Sequence, residues 1–237
     1  MENPTGYHPS IKEPYCVNDT YHTLLRKVYG WMCYALFVTG LAAYLVSYNT
    51  SVMYYILEHD YVMWGAFVIE LCLVVILSYF TNRLSLSQAM GAFVLYSLVN
   101  GCTLSVIFMI YSSTSIGNTF MITAGTFGFM SLYGYCTKKD LSTIGRCCFF
   151  ALIGIIIATI VNLFLGSTLM DYVISYIGVI VFMGLTAWDT QKIYRMLLHQ
   201  DNVSDGTKKL ALLGALTLYL DFINLFLYML KIFGKKK

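Results

Sequence analysis

Residues 216–230 read LTLYLDFINLFLYML, an apolar run with one acid, Asp221, at its middle. If the run crosses a membrane, that carboxyl lies near the bilayer midplane, where an ionised group costs several kcal/mol unless something compensates it. Composition decides the setting. The chain of 237 residues is 58% hydrophobic and only 11% charged, whereas a soluble domain carries about 25% charged residues. The apolar surplus also comes in long blocks, which a globular core does not need. Crossing the hydrocarbon takes about 20 consecutive apolar residues. Seven blocks approach that length: Trp31 to Tyr48, Tyr61 to Phe80, Ala89 to Tyr111, Thr119 to Cys136, Cys147 to Leu165, Tyr172 to roughly Ile193, and Leu210 to Leu230. The expected fold is an all-α integral membrane protein, a bundle of seven transmembrane helices. Residues 1–29 read as a cytoplasmic polar arm with an interfacial lead-in, 30–234 as one membrane domain, and 235–237 as a basic tail.

The net charge of +3 comes from basic residues gathered in loops. No basic patch carries interleaved aromatics on a soluble element, so nucleic-acid binding is not expected. The amino terminus lacks a basic stretch followed by an apolar core, so the first span is expected to serve as the targeting signal. Seven cysteines lie mostly within or at the ends of spans, without a CxxC pair, and four scattered histidines form no zinc pattern.

Basic loops mark the cytoplasmic side. Arg26 and Lys27 precede span one, Arg83 follows span two, Lys138, Lys139 and Arg146 follow span four, and Lys192, Arg195, Lys208 and Lys209 lie between spans six and seven. The intervening loops are acidic or uncharged. This places the amino terminus in the cytoplasm, but seven crossings then put Lys231, Lys235, Lys236 and Lys237 outside, against the rule. Span seven either crosses fully with a tolerated basic tail or breaks near Asp221 and returns. The small-residue pairs Gly154/Ala158 and Ala211/Ala215 suit close helix contact. Tyr21, Leu24, Leu25 and Val28 follow helical spacing before span one and suit the lead-in.

Of twelve acids, three fall inside apolar spans: Glu70, Asp189 and Asp221. No lysine or arginine lies deep in any span, so the three cannot all be ionised comfortably; one holds a proton, shares one, or faces water or a cation. Asp221 lies about 16 Å along the helix from Leu210 at 1.5 Å per residue. Asp189 reaches a matching depth, about 13 Å, only if span six runs past Lys192 and Arg195 to Leu198. Asn224, Thr186 and Thr190 are the nearby hydrogen-bonding groups that would serve a purely structural role for these acids.

The same residues carry a family resemblance. LRKVYGWM at 25–32, TKKDLS at 137–142, WDT at 188–190 and above all LYLDFINLF at 218–226 resemble the Bax-inhibitor family of multi-pass membrane proteins, with TKKDLS closer to bacterial members. The likeness runs from about Leu24 to the carboxyl terminus. It implies a seven-helix bundle with the last helix at the centre and, as function, a pH-sensitive calcium leak. It further implies that Asp189 and Asp221 share a hydrogen bond and sense protons, that Glu70 matches a glutamate of helix two, and that an arginine near the end of helix two, nearest here to Arg83, pairs with the helix-six aspartate.

Physical reasoning leads the same way. Two touching carboxyls titrate in coupled steps, and calcium takes hard oxygen ligands. Asp189 and Asp221 are therefore expected to form a proton-controlled gate and to be candidate calcium ligands, with Glu70, Asn224 and Arg83 supporting the ion path. Calcium ions, protons, the lipid bilayer and membrane-protein partners are the expected partners; no enzyme activity and no cofactor beyond transported calcium is expected. A non-transporting regulator of cell death or of a membrane protease is the alternative. An intramembrane aspartyl protease would need a GxGD motif, which the sequence lacks, and a retinal protein would want a lysine inside the last span. A bacterial cytoplasmic membrane is the expected location, with endoplasmic reticulum or Golgi as the eukaryotic counterpart.

Overall fold

Polar caps rather than prolines divide this apolar chain into helices. The computed structural model describes residues 14–80, 83–198, 200 and 204–237, so the first part of the amino-terminal arm lies outside the described residues. Among them run α1 (Pro14–Tyr48), α2 (Thr50–Glu58), α3 (Asp60–Tyr79), α4 (Leu86–Leu104), α5 (Ile107–Ile110), α6 (Ser113–Cys136), α7 (Ser142–Leu165), α8 (Thr168–Leu198) and α9 (Asp205–Phe233). Pro14 opens α1, where its missing N–H costs nothing. Asn49, Ser112 and Ser204 accept from the first-turn amides of α2, α6 and α9, each at 3.3 Å. Ser85 closes a capping box with Gln88 at 3.2 and 2.8 Å. Gly166, at φ 62°, ends α7 in the left-handed conformation that a side chain would disfavour.

Six helical stretches among the described residues are long and apolar enough to cross a membrane, namely those of α1, α3, α4 with α5, α7, α8 and α9. The seventh crossing is α6, whose 24 residues reach about 36 Å but whose apolar content is diluted by Ser115, Thr119, Thr123 and Ser131, all buried. These polar residues face the bundle, not lipid, so α6 satisfies the span length without the span hydropathy. The fold is thus a seven-helix bundle with α9 at its centre: 67% of the most apolar window of α9 is buried inside the protein, against 6% for α3 and 11% for α7. Outward-facing side chains such as Leu163 and Phe164 on α7 are apolar and exposed, as a lipid-facing surface requires.

Several sequence expectations are refined here. The short α2 between spans one and two was not foreseen, and span three breaks after Leu104 before resuming as α5. The helix that begins at Pro14 continues unbroken through span one, and Leu24 and Val28 are wholly buried in the core rather than lying at an interface. Helix α9 also runs unbroken through Asp221, which removes the re-entrant alternative. Its end folds back along the α5–α6 connection: the Lys237 amide donates to Ile110 O at 2.9 Å, the Ser112 amide to Lys235 O at 3.3 Å, and the Lys235 amide to Ser115 Oγ at 2.9 Å. The basic tail is therefore tolerated at the end opposite the basic loops because its backbone is tied down there.

Close helix approach is concentrated around α8. A Cβ on Gly134 of α6 would lie 2.2 Å from Ala187 O, and one on Gly145 of α7 would lie 2.1 Å from the Trp188 ring. A Cβ on Gly214 of α9 would lie 3.2 Å from Ile193, beside the fully buried Ala211 and Ala215. A Cβ on Gly154, by contrast, would meet nothing within 4 Å, so of the Gly154/Ala158 pair only Ala158 packs against the core. The small side of Gly154 marks outer surface. Gly134→Ala should therefore lower stability by about 1–3 kcal/mol, the usual cost of overpacking, while Gly154→Ala leaves it unchanged or raised. Chemical unfolding of the two variants in mixed micelles, followed by circular dichroism, reads the contrast.

Candidate aspartate site between the sixth and seventh spans

The site is built where α8 crosses the central helix. Helix α8 continues past Lys192 and Arg195 to Leu198, so Asp189 sits nine residues inside its end, about 13 Å along the axis. That is the depth at which it can meet Asp221. The structure brings the two together: their carboxyls lie within hydrogen-bonding reach of each other, with Asp189 8% and Asp221 5% exposed. A carboxyl–carboxyl hydrogen bond contains a proton, because two carboxylates at that separation repel and neither can donate.

The surrounding hydroxyls and amides do not compensate these acids. Thr186 Oγ1 donates to Phe182 O at 2.7 Å, Asn224 Nδ2 to Leu220 O at 2.8 Å, and Thr190 Oγ1 meets Ser131 Oγ at 3.1 Å. Ser131 is in turn hydrogen-bonded to the Tyr29 hydroxyl. Each satisfies a helix backbone or a neighbour, not the pair. Asp221 Oδ2 is buried with no hydrogen-bond partner among the described residues.

Lys192 is the cation the sequence did not mark. One turn from Asp189 on α8, it acts on that carboxyl through its charge, while its Nζ lies 5.0 Å from the Trp188 ring centroid. Trp188 is itself held against Gly145, so the lysine is parked beside the pair without forming an ion pair with it. Arg83 is elsewhere: it is exposed in the α3–α4 connection, with its guanidinium 6.0 Å from the Phe80 ring centroid, and the charges acting on Asp189 come from Lys192 and Asp221. Glu70 belongs to a separate group on α3 and α4, where it accepts from Thr103 Oγ1 at 2.8 Å and Asn100 Nδ2 at 3.3 Å.

On the basic side the α6–α7 connection, the TKKDLS stretch, is fastened to α8 just beyond Asp189. Buried Gln191 accepts from the Leu141 amide at 2.9 Å and donates to Lys139 O at 2.8 Å. Arg195 Nη1 donates to Asp140 Oδ1 at 2.9 Å. Toward the opposite end, Phe222 stacks edge-on against Phe120 and Phe127 at 5.3 and 5.4 Å between centroids. The carboxyls thus lie between a stapled polar loop and an apolar aromatic cluster. No group of three or more histidine, cysteine, aspartate or glutamate side chains converges among the described residues. Two carboxyls alone do not make the six to eight oxygens of a resident calcium site.

The fold defines an all-α, multi-pass membrane protein with two acids buried at the seam of its sixth and seventh spans. Comparison with known proteins gives its family. The family model described as "Inhibitor of apoptosis-promoting Bax1" matches residues 21–237, and the chain belongs to that family. It is 45% identical over 229 residues to the inner membrane protein YbhL of Escherichia coli K12, covering 96% of this chain and 97% of the other. It is 41% identical over 226 residues to a protein of Rickettsia prowazekii, covering 93% and 94%. It is 38% identical over 212 residues to a membrane protein of Streptococcus pyogenes serotype M1, covering 88% and 91%.

The loop staple has its own pH dependence. The Asp140 carboxyl is held below the usual aspartate range by hydrogen bonds from the Ser142 hydroxyl and amide and by Arg195. A lowered folded-state value means the staple's contribution is complete above about pH 4, the unfolded value, and is lost as pH falls through the folded one. Between neutral and mildly acid pH it is constant. Asp140→Ala should therefore speed amide hydrogen exchange in residues 137–142 by the same factor at all pH values in that interval.

Proposed function

We propose that this protein is a proton-controlled leak for calcium across a bacterial inner membrane, with Asp189 and Asp221 as its gate. One observation carries the reading: two carboxyls within hydrogen-bonding reach of each other are buried at bilayer depth between α8 and α9, and one of their oxygens is unpartnered. Acids at that depth are costly and mark proton or ion paths. In this mechanism the shared proton holds α8 against α9. Its loss leaves two like charges in contact, a state relieved by separation of the helices or by a divalent cation between the carboxylates. Phe120, Phe127 and Phe222 then form the apolar barrier on one side and the loop stapled by Gln191 the polar one on the other. The inner-membrane assignment is supported by the name of the Escherichia coli relative.

The family's description favours a second reading, a regulator that acts through partner proteins and moves no ions. There the acids would only set the packing of α8 on α9. Purified protein in liposomes separates the two. The leak reading expects calcium entry that varies between about pH 5 and about pH 8, the interval over which a buried carboxyl pair titrates, and a loss of that pH dependence in Asp221→Asn and in Asp189→Asn. Folded protein giving no flux above empty liposomes contradicts it and leaves the regulator.

A further inference from the structure

Away from the aspartate pair, a second polar chain crosses the bundle. It begins at Glu70, midway along α3, a helix that is almost wholly outward-facing. Asn100 Nδ2 on α4 donates to Glu70 Oε2 at 3.3 Å, and Asn100 Oδ1 accepts from the Tyr219 hydroxyl on α9 at 3.0 Å. Tyr219 Oη lies 2.7 Å from Thr39 Oγ1 on α1, and Thr39 Oγ1 lies 3.0 Å from Ser97 O. Tyr219 is wholly buried, and Thr39 and Asn100 are 3% and 7% exposed. Water is not at hand to complete what these groups leave unmade.

Counting hydrogens exposes a mismatch. Three contacts (Asn100 to Tyr219, Tyr219 to Thr39, Thr39 to Ser97 O) are served by two hydroxyl hydrogens, one from each of Tyr219 and Thr39. With the amide as described, Tyr219 donates to Asn100 and Thr39 must choose between Tyr219 and Ser97 O. A half-turn of the amide removes the shortage. Nδ2 then donates to Tyr219, Tyr219 to Thr39, and Thr39 to Ser97 O. That half-turn points Oδ1 at Glu70 Oε2, and the contact survives only if the glutamate carries a proton to donate.

We propose that Glu70 is a proton-binding site distinct from the aspartate pair, and that a proton there reverses the hydrogen-bond chain Glu70–Asn100–Tyr219–Thr39–Ser97 by rotating the Asn100 amide. With Glu70 ionised, the donors point toward it. With Glu70 protonated, they point away, and the three contacts from Asn100 to Ser97 O are each served. The titratable groups facing Glu70 are Tyr96 and Cys102 on α4 and Tyr219 on α9. Their neutral forms prevail through the neutral range, and the polar groups bonded to the carboxyl are Thr103 and Asn100. The chain passes through the central helix at Tyr219, two residues before Asp221, and ties that helix to α1 and α4. The central helix thus receives two proton inputs, one from α8 and one from α3. This inference stands whether or not the bundle conducts ions.

Infrared difference spectra of the protein in lipid bilayers, taken between about pH 8 and about pH 5 to bracket buried carboxyls, test it. Asparagine is isotope-labelled at its side-chain carbonyl, and the Asn100 band is assigned by its loss in Asn100→Ser. A protonated-carboxyl band and a shift of the Asn100 amide band should rise together with one midpoint. Both should vanish in Glu70→Gln and persist in Asp189→Asn and Asp221→Asn. Tyr219→Phe should keep the carboxyl band but shrink the amide shift. An Asn100 amide that is silent across the interval in the wild type overturns the proposal without recourse to any variant. So does an amide shift that survives in Glu70→Gln.

Discussion

The meeting of the Asp189 and Asp221 carboxyls at the seam of α8 and α9 is the constraint around which this bundle is arranged. It needs both aspartates at one depth, and so it needs α8 to run on to Leu198 with Lys192 and Arg195 beyond the acid. It needs α8 in close contact with its neighbours, which Gly134, Gly145 and Gly214 permit by offering no side chain at the three approaches. On the basic side Gln191 and Arg195 fasten the α6–α7 connection to α8 just beyond the acid. These features are scattered through the sequence and meet only at this seam.

Burial of α9 follows from the same geometry. A helix carrying Asp221, Tyr219 and Asn224 cannot face lipid on the side that holds the acid and the phenol, and two-thirds of its apolar window is inside the protein. The peripheral helices α3 and α7 carry the lipid-facing surface instead, and Glu70 on α3 reaches inward to α4 for its partners. Membership in the family described as "Inhibitor of apoptosis-promoting Bax1" spans this whole arrangement, from residue 21 to residue 237. The identity shared with the Escherichia coli inner membrane protein is likewise spread over nearly the full chain rather than confined to one motif.

Much of the architecture is legible in residue order because lipid enforces it. A span without charge over about 20 residues has few alternatives to a helix, and the acids inside spans stand out against that background. The pairing of Asp189 with Asp221 was readable as a depth condition, resolved once α8 proved to reach Leu198. What was not legible depended on azimuth, the direction in which a side chain leaves its helix. Gly154 and Gly134 look alike in sequence, yet one faces outward and the other meets Ala187 O. Arg83 and Lys192 are both basic residues near span ends, and only the second lies beside Asp189. Tyr219 and Asn100 drew no attention because neither is charged, although a tyrosine and an asparagine far from any span end, where no interface water reaches, are themselves signals of interior hydrogen bonding.

The account stands or falls on whether Asp189 and Asp221 hold one proton in common. Carboxyl-carbon magnetic resonance of aspartate-labelled protein in lipid bilayers, followed across the pH range for the wild type and for each single aspartate-to-asparagine variant, measures this directly. Shared protonation predicts that the two signals move together in coupled steps and that replacing either residue changes the titration of the other. Two carboxyls that titrate independently, each unaffected by the loss of its neighbour, would contradict it.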